Sequence, residues 1–120
     1  MNHCQFGRSA EQLAARYLRS LGYHIWKTNW RWGRKELDLV AIQRDELVIV
    51  EVKSRLENAV NDPSEVVNGS KQRNIILAAE AFIWLHHIHM PTRFDVIAVI
   101  YSAGRAEIEH IENAFIPGVE

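Results

Sequence analysis

Leu13, Ala14, Tyr17, Leu18 and Leu21 recur at the i, i+3, i+4 spacing of one helical face, which predicts an amphipathic helix over residues 6–21 with Gly22 as its stop. The pattern then changes period. Residues 23–30, "YHIWKTNW", are aromatic and β-branched and predict a strand, with "RWGR" at 31–34 as the turn after it. Residues 36–42 and 47–53 predict two more strands around the polar loop Gln43 to Glu46, which makes them a hairpin. Residues 56–69, "LENAVNDPSEVVNG", are turn-rich and predict a mobile loop with one helical turn. Ser70 can cap a second helix that runs to about His89 before Pro91, with Ile75, Ile76, Ala79, Phe82 and Ile83 as core. "RFDVIAVIY" at 93–101 predicts a strand, and "AEIEHIENA" after the turn at 102–105 predicts an edge strand. The order is αβββαβ with a further strand. It predicts an α/β fold, a mixed central sheet flanked by helices on both faces.

Closing the hairpin with either Arg44-Asp45 or Gln43 to Glu46 gives one register, in which opposed residues sum to 89. Asp38 then faces Glu51, and Glu36 faces Lys53. Because side chains alternate, all four project from one face at one end of the sheet. The other face takes Leu37, Leu39, Ala41, Val48, Val50 and Val52. Directly opposed like charges are destabilising. Two carboxylates so placed either share a proton, with one pKa raised, or hold a cation between them. Lys53 can itself be that cation in an ion-pair network that caps the strand ends. The other reading is chemical, because phosphodiester hydrolysis needs a bound metal together with a group that positions water and offsets developing charge.

The pattern Asp38, then Glu51-Val52-Lys53 on the next strand, after a helix bearing Glu11, resembles the PD-(D/E)xK nuclease superfamily with its restriction-endonuclease-like fold. More closely, "GRSAEQLAARYLRSLGY", "NWRWGRKELDLV", "LVIVEVKSR" and "RFDVIAV" look like the small bacterial YraN-like family, itself similar to archaeal Holliday junction resolvases. The resemblance spans residues 6–115. It implies that Asp38 and Glu51 hold Mg²⁺ or Mn²⁺ with the Val52 main-chain carbonyl, that Lys53 orients water, and that Glu11 is the helix-borne acid of the site. Glu11 lies within about 20° of Leu18 on the helical wheel, at the border of the apolar stripe; a solvated glutamate favoured by the helix dipole is the alternative. The superfamily's proline is absent, since Leu37 precedes Asp38, and Lys35 stands where YraN-like proteins usually carry glycine.

Composition bounds these readings. The 120 residues predict one domain, 1–120, with 48% hydrophobic and 24% charged residues. The apolar stretches are too short for a membrane helix, the first residues lack a signal-peptide layout, and Cys4 is the single cysteine; a cytoplasmic protein without a membrane partner is expected. The net charge is −1, but residues 1–55 hold ten Lys/Arg and six Asp/Glu, against four and nine in residues 56–120. The basic half predicts a local nucleic-acid contact, with Arg8, Arg34, Lys35 and Arg55 as candidates; Lys71, like Arg8 near a helix start where phosphates can bind, is a further one, and plain surface is the alternative. Trp26, Trp30 and Trp32 are candidates for base stacking, with core packing favoured for Trp26. His86, His87 and His89 lack the convergence of a zinc site and are expected to be an exposed cluster. Asp95 is expected to be structural, bonding Arg93 or a loop amide, and Glu36 to orient Lys53. The expectation is a Mg²⁺-dependent nuclease acting on branched, flapped or single-stranded DNA, with a homodimer as a route to a second strand. The alternative is a nucleic-acid-binding or adaptor protein that keeps the fold without effective catalysis.

Overall fold

The computed structural model describes residues 3–57 and 67–117, with side chains from Ser9 onward. The loop expected over 56–69 therefore lies mostly outside the described residues. The elements are α1 (His3–Ser20), β1 (His24–Trp32), β2 (Lys35–Gln43), β3 (Glu46–Leu56), α2 (Gly69–Leu85), β4 (Thr92–Ser102) and β5 (Arg105–Ile111). One five-stranded sheet runs in sequence order, β1 to β5, with β3 and β4 parallel and the other neighbours antiparallel. The α/β architecture expected from the chain is the one observed. Among the described residues no helix is long and apolar enough to cross a membrane.

Each helix covers one face. Ala10, Ala14, Ala15 and Leu18 of α1 pack on Leu39, Ala41, Val48, Val50, Ile97 and Val99. Ile75, Ala78, Ala79 and Phe82 of α2 pack on Leu37, Val40, Leu47, Ile49 and Val96. The central strands therefore carry apolar residues on both sides, as strands buried twice must. Alanine dominates the α1 contact, which lets that helix approach the sheet closely.

β1 runs on to Trp32, through the first half of the turn expected at 31–34, and both ends of α2 differ from the expectation. The N-cap of α2 is Asn68, not Ser70: its extended backbone and its side chain, which accepts the Lys71 N–H at 2.9 Å, satisfy the first turn two residues earlier. The helix ends at Leu85 rather than near His89. His86 closes it, donating its backbone N–H and its ring Nδ1–H to the Phe82 carbonyl and stacking on the Phe82 ring at 4.0 Å. His86 is thus half-buried against Trp26, Trp30 and Phe82, whereas His87 and His89 are exposed as expected. The β2–β3 turn takes the two-residue form, with Arg44 in the left-handed region at φ 55°.

Candidate active site at the parting of two strands

The hairpin register is the expected one from Gln43–Glu46 through Leu39–Val50. There the ladder ends. The next hydrogen-bonded pair of that register would join the Val52 N–H to the Leu37 carbonyl; instead the Asp38 carboxylate accepts it, Oδ2 at 2.9 Å. A side chain has replaced a main-chain acceptor at the point where β2 leaves β3. Leu37 shows the same break: it packs under α2 with Val40, not under α1 with Leu39, so the alternation expected to put Leu37 beside Leu39 fails across Asp38. The neighbouring strand, whose register shifts only between Ile25 and Lys27, turns its backbone at the same level. Asn29 has φ 51° and lies between the pairs Thr28–Leu39 and Trp30–Leu37.

Asp38 and Glu51 are in contact at this gap although they do not form a ladder pair. Glu51 is only 6% exposed. Burial, and next the charge of Asp38, push the Glu51 carboxyl up to about 8, against the opposing pull of Lys71 and Lys53. Burial also raises Asp38, and the Val52 N–H and Lys71 offset part of that rise. Each carboxyl thus holds its proton more firmly than a free acid does, as two desolvated carboxylates in contact must. Removing that proton calls for a compensating cation. The donor set, two hard carboxylates on a rigid sheet, fits a hard divalent cation such as Mg²⁺ or Mn²⁺.

Lysines approach from both sides of Glu51. Lys53 is half-buried on the same strand, close enough to favour the Glu51 anion. Lys71 places Nζ 3.5 Å from Glu51 Oε1 from the first turn of α2, where the Asn68 cap fixes its backbone. Lys71, a candidate for nucleic acid because it stands at a helix start, is tied by its position to the acidic pair. Glu36, by contrast, does not pair with Lys53. It faces Arg31 on β1, at 3.9 Å, and Asn29.

Asn29 is the residue that sequence reasoning missed. With its amide nitrogen turned toward the surrounding acceptors, it donates to Glu11 Oε2 at 2.9 Å, Glu11 Oε1 at 3.1 Å and Glu36 Oε1 at 2.9 Å. It thereby fixes Glu11 of α1 beside the sheet end that carries Glu36 and Asp38. An asparagine before a tryptophan in a strand gives no signal of this; the signal is the left-handed backbone, which asparagine tolerates better than most residues. Of the remaining basic candidates, Arg34 is exposed in the β1–β2 turn, Lys35 begins β2, Arg55 is half-buried on β3, and the Arg8 side chain lies outside the described residues. Trp26 and Trp30 pack edge-on against Phe82, and Trp32 stacks parallel to Trp30 with 47% of its surface exposed.

A second cluster of ionisable groups is structural. Asp95, fully buried, accepts from Arg93 Nε and Nη2 at 2.9 Å, from the Asn113 N–H at 3.1 Å and from His110 Nε2 at 2.8 Å. Burial alone would raise its carboxyl, but these bonds hold it below the ordinary value. Both partners expected for Asp95, Arg93 and a loop amide, are present. Asp95, His110 and Glu112 lie close enough to suggest a metal site, but Arg93 occupies both Asp95 oxygens and sits 3.4 Å from Glu112. A bound guanidinium leaves no room there for a cation.

The sequence model of the Uncharacterised protein family UPF0102 matches residues 10–99. The chain is similar to a UPF0102 protein of Phocaeicola vulgatus, 40% identical over 117 residues, covering 98% of this chain and 97% of the relative. It is likewise similar to UPF0102 proteins of Porphyromonas gingivalis, 45% identical with 95% of this chain and 86% of the relative covered, and of Chlorobium chlorochromatii, 42% identical with 93% and 92% covered.

Proposed function

The chain belongs to the UPF0102 family, the YraN-like group expected from its sequence blocks, and on that premise we propose that it is a metal-dependent nuclease of PD-(D/E)xK type. Its substrate is DNA, structured or single-stranded. The observation that carries this reading is the burial of Asp38 against Glu51 at the parting of β2 and β3, with two lysines beside them. Buried like charges cost stability in a protein that has no use for them. They are retained where a cation or a reaction needs them.

Asp38, Glu51, Glu11 and the Val52 carbonyl would hold the Mg²⁺ or Mn²⁺. Bound there, the ion supplies a Lewis acid for a phosphoryl oxygen and lowers the pKa of water. The protein's own groups supply the rest. Asp38 is held in place by the Val52 N–H, so its carboxyl has a fixed direction. Lys53, on the strand next to Glu51, orients a water for in-line attack and offsets charge on the phosphoryl oxygens. Lys71 neutralises part of the charge of the acidic pair in the absence of metal. Asn29 holds Glu11 beside Glu36.

The test is a cleavage screen with Mn²⁺ across single-stranded, duplex, flap and four-way-junction DNA, and RNA, with Asp38→Asn as control. Cleavage of at least one substrate by the wild type and none by Asp38→Asn is the expected result. Absence of cleavage throughout, or equal cleavage by Asp38→Asn, refutes the assignment.

A further inference from the structure

A cleft of about 620 Å³ opens between α1 and β1, beginning at Glu11 and lined by Gln12, Ala15, Arg16, Arg19, Thr28 and Asn29. Its two walls differ in character. On α1, Gln12, Arg16 and Arg19 stand at i, i+4 and i+7, one stripe of the helix, immediately beside the stripe that carries Glu11, Ala15 and the buried Leu18. On β1, the exposed Thr28 and Asn29 face them with a hydroxyl and an amide. Ala15 and Leu39, both buried, form the floor, and the small side chain at 15 keeps the cleft open down to the sheet.

Both arginines are exposed, and among the described residues neither has an ion-pair partner. Arg31 on β1 and Arg93 on β4 do have acidic partners. The cleft thus presents two uncompensated guanidinium groups in a chain of net charge −1. Along the helix axis they lie about 7.5 Å and about 12 Å from Glu11. These intervals suit successive phosphates of one extended strand. The cleft is of ligand-site size and lies between one helix and one strand, a setting that suits a single nucleic-acid strand.

We propose that this cleft is a single-stranded nucleic-acid subsite in which Arg16 and Arg19 bind the phosphates next to the one held at Asp38 and Glu51. Thr28 donates a hydrogen bond to the same backbone. The inference rests on the nuclease reading for the position of the scissile phosphate, and it narrows the substrate class to DNA or RNA with a single-stranded arm beside the cut. Arg16 and Arg19 are binding residues only, with no part in the chemistry at Asp38 and Glu51.

The experiment is fluorescence anisotropy with a short labelled oligothymidylate on the Asp38→Asn background, which prevents turnover from blurring the titration. The paired change Arg16→Ala/Arg19→Ala should weaken binding roughly tenfold at low salt and make the slope of log K against log salt shallower by about 1.4, the loss of two single-strand phosphate contacts. Arg105→Ala, an exposed arginine on β5, should change neither. Equal weakening by Arg105→Ala, an unchanged salt slope, or no binding of the oligothymidylate at all overturns the subsite. Duplex of the same length bound with the same dependence on Arg16 and Arg19 overturns its assignment to single strands. Failure of cleavage bears on the nuclease reading alone, since oligothymidylate binding that depends on Arg16 and Arg19 would stand without it. Conversely, intact cleavage with binding indifferent to both arginines removes the cleft and leaves the nuclease.

Discussion

The Val52 N–H donates to Asp38 Oδ2 at 2.9 Å, one step beyond the last main-chain pair of β2 and β3, so a carboxylate closes the ladder where the strands part. The same carboxyl also hydrogen-bonds Glu51, so Asp38 joins the strand end to the acidic pair. Asp38→Asn keeps the shape of this acceptor while removing the charge, which makes it the proper control for activity. Asp38→Ala leaves the part-buried Val52 N–H without its acceptor and should cost about 1 kcal/mol of stability by urea unfolding, with Asp38→Asn costing clearly less.

Lys53→Ala separates chemistry from binding. If Lys53 orients water, its loss should reduce the rate of cleavage by about 10²-fold or more while Mn²⁺ affinity, followed by calorimetry, changes little. Near-wild-type cleavage by Lys53→Ala would remove its proposed role. A rise in Mn²⁺ affinity upon its loss would be consistent with relief of charge repulsion and would not restore the rate.

The acidic pair makes stability depend on pH in a direction opposite to that of ordinary salt-bridged acids. The Glu51 carboxyl is raised from 4.5 to about 8, so its contribution to stability is fully present below about pH 4.5 and is lost as pH rises through about 8. Asp38 is raised as well and adds in the same sense, whereas Lys71 and Lys53 act against it. The metal-free protein should therefore lose stability between about pH 5 and 8. Glu51→Gln should flatten that slope in urea unfolding, and Mg²⁺ or Mn²⁺ should restore stability at the alkaline end by replacing the proton. An unfolding free energy that rises steadily across this window in both proteins would contradict the buried pair.

Much of the site was legible in the sequence because two periodicities agreed. The period-2 runs at 36–42 and 47–53 fixed the hairpin and its register, and the period-3.6 stripe of α1 placed Glu11 at the border of the apolar face. What was not legible depends on local departures from those periods. Asp38 replaces a main-chain acceptor, Leu37 changes sides, and Asn29 adopts a left-handed backbone, all at one level of the sheet. A pattern built on regular alternation extends the ladder through that level and pairs Glu36 with Lys53. The real strands break there, and Glu36 turns to β1 instead. The contact of Lys71 was hidden for a different reason: its charge is visible in the sequence, but its partner, Glu51, lies twenty residues away across the β3–α2 connection.

Asn29 supplies the last prediction, because its two properties can be separated by substitution. Its backbone at φ 51° favours glycine or asparagine, and its amide neutralises neither Glu11 nor Glu36 but donates to both. Asn29→Gly preserves the backbone and removes the donor. It should leave thermal stability within about 1 kcal/mol of the wild type while freeing Glu11 and lowering the cleavage rate. Asn29→Asp keeps the shape but replaces the donor with a third negative charge against Glu11 and Glu36, and should cost about 1–3 kcal/mol at neutral pH, recovered as the solution is acidified through the carboxylate range. The comparison of melting temperatures at neutral and acidic pH checks it. If Asn29→Asp melts with the wild type at both, the amide does not hold the two acids together.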